Sequence, residues 1–419
     1  MPLMETVKPK FHPRPPMRIE ELGVPEPLLV DLFLRRAMLE GTSSLSSLCE
    51  NLKLALPIID RIFRQTRDQK LLDVKGMEGD DYRFSLTSTG RGLASDRFRI
   101  SQYSAAAPVS LKSYQDSVIA QRATVIINRP TLREALSDLV VPDRLLDELG
   151  PAIVSQSSLF LYGPSGNGKT SIAERLHRVY KDYILVPRAV EVDSQIITLF
   201  DPVVHHSIEP QPWDIDPRWV MCSRPCIVVG GELVSSMLEL RLESTTGTYA
   251  APIQMKANNG IFIIDDFGRQ MMSPRELLNR WIVPLDRHID YLTLSYGVKF
   301  PIPFELLVIF STNFDPRDLA DDAFFRRIQN KIYVDPVTGM VFDEILSRAI
   351  KGRRIPMDSS VPEYFKKRAM ELGNHELRAC YPLDICKLLE AICRYESQAP
   401  VLNVDNLERA LQLYFAPID

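Results

Sequence analysis

The octapeptide GPSGNGKT at residues 163–170 follows the apolar run Ser158-Leu-Phe-Leu-Tyr162 and precedes a helix-like stretch at 171–178. Strand, glycine loop and helix in that order commit the chain to an α/β core with a phosphate cradle. Gly163, Gly166 and Gly168 let the backbone curl so that successive N–H groups face inward, and the helix that follows turns its positive end toward the same anion. Pro164, Ser165, Asn167 and Ser171 complete the expected binding segment. Lys169 is suited to reaching the β- and γ-phosphates of a nucleotide, and the Thr170 hydroxyl to ligating Mg²⁺.

A chain of 419 residues, 45% apolar and 25% charged, is long enough for two or three domains. Its 50 basic and 54 acidic residues leave a net charge of −4, so no global positive field draws it onto nucleic acid or an anionic membrane. No run of 18 apolar residues occurs, and the basic, proline-bearing N-terminus lacks an apolar segment behind it. The expectation is a cytoplasmic protein without membrane insertion. Six scattered cysteines suit reduced thiols in that setting. His205, His206, Cys222 and Cys226 form a two-plus-two set of zinc-ligating types, but the C-x-x-x-C spacing is loose, and surface histidines with half-buried thiols are the favoured reading.

Residues 1–25 carry six prolines and read as an irregular arm. From 26 to 96 the pattern gives helical stretches at 28–39, 44–52 and 57–69, then two strand-like runs around a turn at 76–81. Helix, helix, helix, hairpin resembles a winged helix-turn-helix. Arg61, Arg64, Arg67 and Lys70, three apart on the third helix, make a basic stripe that would read DNA in such a domain. Against that, Glu78, Asp80 and Asp81 place acid at the wing tip, and Asp60 and Asp68 dilute the stripe. DNA and a protein client both stand as partners, with the acidic wing favouring protein. Residues 97–127 read as a linker with one helix.

The nucleotide-binding domain is expected at 128–336. Val140 and Val141 either line an adenine pocket or pack beneath the first strand. Val190–Val192 reads as a short strand, 201–226 as a proline-rich insertion and 232–242 as a helix. Then Gly260-Ile-Phe-Ile-Ile-Asp-Asp266 has the form of a buried parallel strand ending in two carboxylates. In a phosphate-loop enzyme the first, Asp265, orients Mg²⁺ or its water, and the second, Asp266, polarises the water that attacks ATP.

At this point the chain resembles the AAA+ ATPases, over roughly 130–415. The run 306–313 is similar to their sensor-one strand, which makes Asn313 the partner of the γ-phosphate or attacking water. The segment 321–328 is similar to the one that supplies an arginine finger to a neighbouring subunit, with Arg327 first and Arg326 as alternate. Four helical stretches within 337–419 resemble the AAA+ helical lid, and Arg378 is its sensor-two candidate. The alternating run 290–304 resembles the β-hairpin inserted before sensor one in MoxR-type ATPases, and 258–268 is similar to bacterial enhancer-binding activators, which hold a target-contacting loop where this chain has 243–252. The resemblance implies an α/β AAA+ module with a helical lid, preceded by a small α+β winged-helix domain. It also implies hydrolysis of ATP to ADP and phosphate with Mg²⁺, a ring homo-oligomer (a hexamer), and chaperone-like remodelling of a protein client. The alternative is a DNA-binding regulator that uses ATP to control assembly. One departure bears on turnover: Asp266 stands where glutamate is usual, about 1.5 Å shorter in reach.

Overall fold

The computed structural model describes residues 10–79, 81–123, 127–208, 214–319 and 326–415. Five parallel strands form the central sheet. In chain order they are Leu159–Tyr162, Cys226–Val229, Ile261–Ile264, Leu307–Thr312 and Asn330–Tyr333, and across the sheet they run second, third, fourth, first, fifth. All four neighbouring pairs are parallel. The three middle strands are almost wholly apolar and bury both faces, as parallel strands covered by helices must. The chain reverses direction across the sheet beside the first strand, and such a switch point opens a crevice at the carboxyl ends of the strands.

The N-terminal elements are helices Glu26–Glu40, Leu45–Leu52 and Leu56–Asp68, followed by the hairpin Leu72–Glu78 and Asp81–Leu86, which a short strand Thr42–Ser44 extends to three strands. Their shared core includes Phe33 stacked on Phe84 at 5.8 Å. Asp81 is not a bare charge at the hairpin tip: its carboxylate accepts the Leu45 N–H at 2.9 Å and so caps the second helix. From residue 10 the arm before them is irregular apart from Ile19–Leu22, yet it is packed down, with Phe11 against Trp219 at 5.0 Å and the Asp216 N–H bonded to the Pro13 carbonyl.

The segment expected to be a linker is built into the structure. Helix Ser88–Ile100 crosses into it, strand Val109–Ser110 pairs with Ala189–Val192, and helix Leu111–Ala120 buries Tyr114 and Val118. Val190–Val192 therefore belongs to a second sheet, ordered Arg241–Glu243, Thr248–Ala250, Gln195–Thr198, Ala189–Val192, Val109–Ser110. The proline-rich insertion contributes a strand as well, Trp219–Ser223, paired with Tyr183–Pro187. The helix expected at 232–242 is absent; a 3₁₀ turn at Ser235–Leu238 leads into strand Arg241–Glu243. Two glycines before it and a serine pair within it give a helix little support; Leu238 is buried from the 3₁₀ turn and Leu233 from the irregular backbone before it.

The loop expected at 243–252 is a strand connection held against the rest of the molecule. Gln102 N and Ser101 Oγ donate to the Thr246 carbonyl at 2.7 and 3.2 Å, and a Cβ on Gly247 would lie 2.2 Å from the Ile100 carbonyl oxygen. The hairpin Ile289–Thr293 and Lys299–Pro303 forms as expected, but its inner residues Leu292, Phe300 and Ile302 join the core of the second sheet. The tip is pinned too, with the Tyr296 hydroxyl donating to Asp193 Oδ2 at 2.9 Å. Helices Gly339–Arg353, Val361–Leu372, Cys380–Tyr395 and Val404–Tyr414 complete the described chain around a core that includes Phe342, Phe365, Leu389 and Leu407. No helix among the described residues is long and apolar enough to cross a membrane.

Candidate active site

The glycine loop leaves the carboxyl end of the first strand and enters helix Lys169–Arg175 through Gly168, whose φ of +83° belongs to glycine. That turn sends the Lys169 side chain back under its own loop. Its ammonium donates to the carbonyls of Gly163 and Pro164, both at 2.9 Å, and to Asn313 Oδ1 at 2.7 Å. The Asn313 amide donates in turn to Asp266 Oδ1 at 3.3 Å. Beside this chain the Thr170 hydroxyl faces both oxygens of Asp265 at 2.8 and 2.9 Å. The adjacency follows from the sheet: Asp265 and Asp266 end the third strand, Asn313 ends the fourth, and the loop ends the first, next to it.

Lys169 is the buried cation of the cleft. Burial pushes its pKa down to about 8, although Asp265 and Asp266 pull it up, while Arg378 adds to the lowering. An ammonium lodged among neutral carbonyls is short of the negative charge that polyphosphate supplies. Thr170 and Asp265 offer the hard oxygen donors that Mg²⁺ prefers. The residues present fit Mg·ATP on both counts, and the cleft of about 570 Å³ is lined by Val140, Val141, Asp265, Asp266 and Asn313 together with residues 165–171.

The C-terminal helical segment closes one side. Arg378 Nη1 donates to Ser165 Oγ at 3.2 Å, Ala379 N to Asn167 Oδ1 at 3.3 Å, and Cys380 N to the Gly166 carbonyl at 2.9 Å. Gly166, at φ +80°, has no room for a side chain here, since a Cβ would lie 2.6 Å from Cys380 Sγ. Arg378 Nε is buried and has no hydrogen-bond partner among the described residues. Reading the sequence alone missed Cys380 and also Arg348, a lid arginine that donates to the carbonyls of Ser137 and Leu139 at 3.0 and 3.3 Å and fastens the segment leading to Val140. Neither carries a local motif; only the fold brings them to the cleft.

Arg326 and Arg327 are not brought to it. They precede the fifth strand at the amino end of the sheet, where the Arg327 carbonyl accepts from Ser158 Oγ at 3.3 Å, and neither lines the cleft of its own chain. Residues 321–325 of that expected segment lie outside the described residues. The zinc set is not assembled either. His205 is buried with Nδ1 accepting the Asp201 N–H at 3.0 Å and Nε2 on the Lys256 carbonyl at 2.9 Å, so both ring nitrogens are committed, and burial lowers its pKa. Among the described residues no group of three or more His, Cys, Asp or Glu side chains is placed to hold a metal ion. On the third N-terminal helix, Arg61 pairs with Glu20 at 2.6 Å and Glu26 at 3.5 Å, Arg64 with Asp60 at 2.8 Å and Arg67 with Asp68 at 3.7 Å.

A family model described as a domain of unknown function (DUF8689) matches residues 340–413, within the four C-terminal helices. No curated protein matches the chain. Among solved structures, the Holliday junction branch migration motor RuvB of Thermotoga maritima is 16% identical over 70% of this chain and 72% of its own, with a TM-score of 0.35. NtrX of Brucella abortus is 12% identical over 70% of this chain and 57% of its own, with a TM-score of 0.40. With its five-stranded parallel sheet and its glycine loop at the switch-point strand, the chain has an α/β P-loop fold.

Proposed function

We propose that this chain is a Mg·ATP-hydrolysing AAA+ ATPase that works as a ring, in the hexameric manner, to remodel or assemble a protein client. The observation that carries the reading is the hydrogen-bonded run from Lys169 through Asn313 to Asp266 beside the Thr170–Asp265 pair, all at the carboxyl end of one parallel sheet. The backbone and Lys169 hold the phosphates of ATP, and Thr170 and Asp265 are the residues that would hold Mg²⁺, which would neutralise charge on the phosphates. Asp266 accepts the proton of a water whose oxygen attacks the γ-phosphorus, with Asn313 orienting it. The bond from that phosphorus to the bridging oxygen breaks, and ADP and phosphate leave.

Arg327, with Arg326 as alternate, serves the cleft of the next subunit, which suits its distance from its own. Arg378 binds phosphate oxygens; its Nη1 already reaches the glycine loop at Ser165 Oγ, 3.2 Å away, which supports that role. The working units are an N-terminal arm to 25, a winged-helix unit at 26–96 with 97–127 behind it, the nucleotide module at 128–336 and the lid at 337–419. Because the 289–303 hairpin shares a core with the second sheet, it delivers force as part of that body. Six free cysteines suit a cytoplasmic setting. The alternative of a DNA-bound regulator has less support, since Arg61, Arg64 and Arg67 each already face a carboxylate.

Lys169→Ala tests the binding half: ATP binding, followed by fluorescence of a labelled nucleotide, should be lost. Mixing Arg327→Ala with Asp266→Asn subunits tests the ring, because some mixed interfaces carry an intact Arg327 opposite an intact Asp266. Partial recovery of ATPase activity is expected. No recovery in rings shown to be mixed would refute action between subunits.

A further inference from the structure

The acid that polarises water in this reading sits on an uncommon backbone. Asp266 has φ +48°, in the left-handed region that side chains with a Cβ adopt at a cost. Its neighbour Phe267 is fixed at both polar groups, N–H to the Ser311 carbonyl at 2.7 Å and carbonyl from Thr312 Oγ1 at 2.7 Å. Asp266 itself is held through its carbonyl by the Arg269 N–H at 3.0 Å and by a side chain four residues on. Gln270 Nε2 donates to the carbonyls of Asp265 at 2.9 Å and Asp266 at 3.2 Å, while its Oε1 accepts the Gly268 N–H at 2.8 Å. One amide thus grips three main-chain groups of the turn that carries both carboxylates.

We propose that Gln270 is a positioning residue for hydrolysis, holding the 265–268 turn so that the Asp266 carboxylate stays beside Asn313. It does not line the cleft. The need for it follows from the length of the acid. A glutamate has one more torsion with which to find the water when the main chain shifts; aspartate has to be placed by the main chain. The proposal rests on the reading of Asp266 as the water-polarising group.

Steady-state ATPase kinetics on four variants test it. Gln270→Ala should lower kcat about 10- to 100-fold, the penalty of a misplacement of about an ångström, with KM for ATP within about threefold of the parent. Gln270→Glu keeps the acceptor for Gly268 but cannot donate to the two carbonyls, and should fall with it. Gln270→Ala combined with Asp266→Glu should regain about tenfold over Gln270→Ala, because the longer acid can find the water without a fixed turn. A merely structural loss would not distinguish the two acids. Parent-like kcat in Gln270→Ala, or no gain from the longer acid, would overturn the proposal. Asp266→Asn run alongside separates the failures. If it turns over like the parent, the assignment of Asp266 falls and this proposal with it; if it is inactive while Gln270→Ala is parent-like, only Gln270 loses its role.

Discussion

Raising the pH should weaken ATP binding through one residue. Lys169 in the free protein titrates at about 8 because burial outweighs the attraction of Asp265 and Asp266. Bound polyphosphate sets several negative charges beside the ammonium and lifts its pKa clear of this range, so binding above pH 8 takes up a proton. Linkage then makes the observed affinity fall by the fraction of free protein still protonated: about twofold at pH 8 and about tenfold at pH 9, relative to pH 7. The thiols at Cys49, Cys222 and Cys226 are pushed up to about 11 or 12 by burial and stay protonated through the window. A terminal phosphate loses its last proton at about pH 6, below the window. The assay is calorimetric titration of Mg·ATP at pH 7, 8 and 9 in two buffers of different ionisation heat, which counts the proton directly. Lys169→Arg is the control, since guanidinium does not titrate here: weaker binding, with no slope. An unchanged Kd between pH 7 and 9, or the same slope in Lys169→Arg, would refute the reasoning. The sign carries over to folding: the unfolded lysine keeps its proton up to its ordinary value of 10.5, so the nucleotide-free fold gains stability as pH rises from about 8 to 10.5.

Gly166→Ala should cost about 1–2 kcal/mol of backbone strain at φ +80° and push Cys380 away; a lower melting temperature with weaker ATP binding is expected, and no change in either would argue against the lid contact. His205→Leu leaves the Asp201 N–H and Lys256 carbonyl without partners, at about 1–3 kcal/mol each, and chelators should leave the parent's melting temperature where it is. The lowered pKa of His205 means the unfolded chain takes up its proton first, so stability is lost as pH falls below about 6.5 and is full above it; a melt series from pH 5 to 8 reads this against His205→Leu. Duplex DNA binding at low salt should be absent or unaffected by Arg64→Ala, and a salt-sensitive affinity that drops in that variant would revive the DNA alternative.

Where chemistry is written in contiguous residues, the sequence was a good guide. The glycine loop, the strand ending at Asp265 and Asp266 and the strand ending at Asn313 each combine an apolar run with a polar terminus, and each forms where expected. The helical period of the lid was equally plain. The second sheet was not, because its strands are two to four residues long and pair across large separations, as Val109 does with Val190. Short apolar runs of this kind do not declare their partners. At 232–242 the glycines and the serine pair outweigh the helical spacing of the apolar residues, and a 3₁₀ turn at Ser235–Leu238 forms instead. Gln270 and Arg348 act through backbone groups, and a side chain that reads backbone leaves no motif.

Phosphate release from Mg·ATP, measured for the parent and for Asp266→Asn on samples whose nucleotide binding is titrated in parallel, tests the central claim most directly. Hydrolysis by the parent, with binding retained and turnover lost in Asp266→Asn, is the predicted result. A parent that binds ATP without hydrolysing it, or an Asp266→Asn variant that turns over at the parent rate, would contradict it.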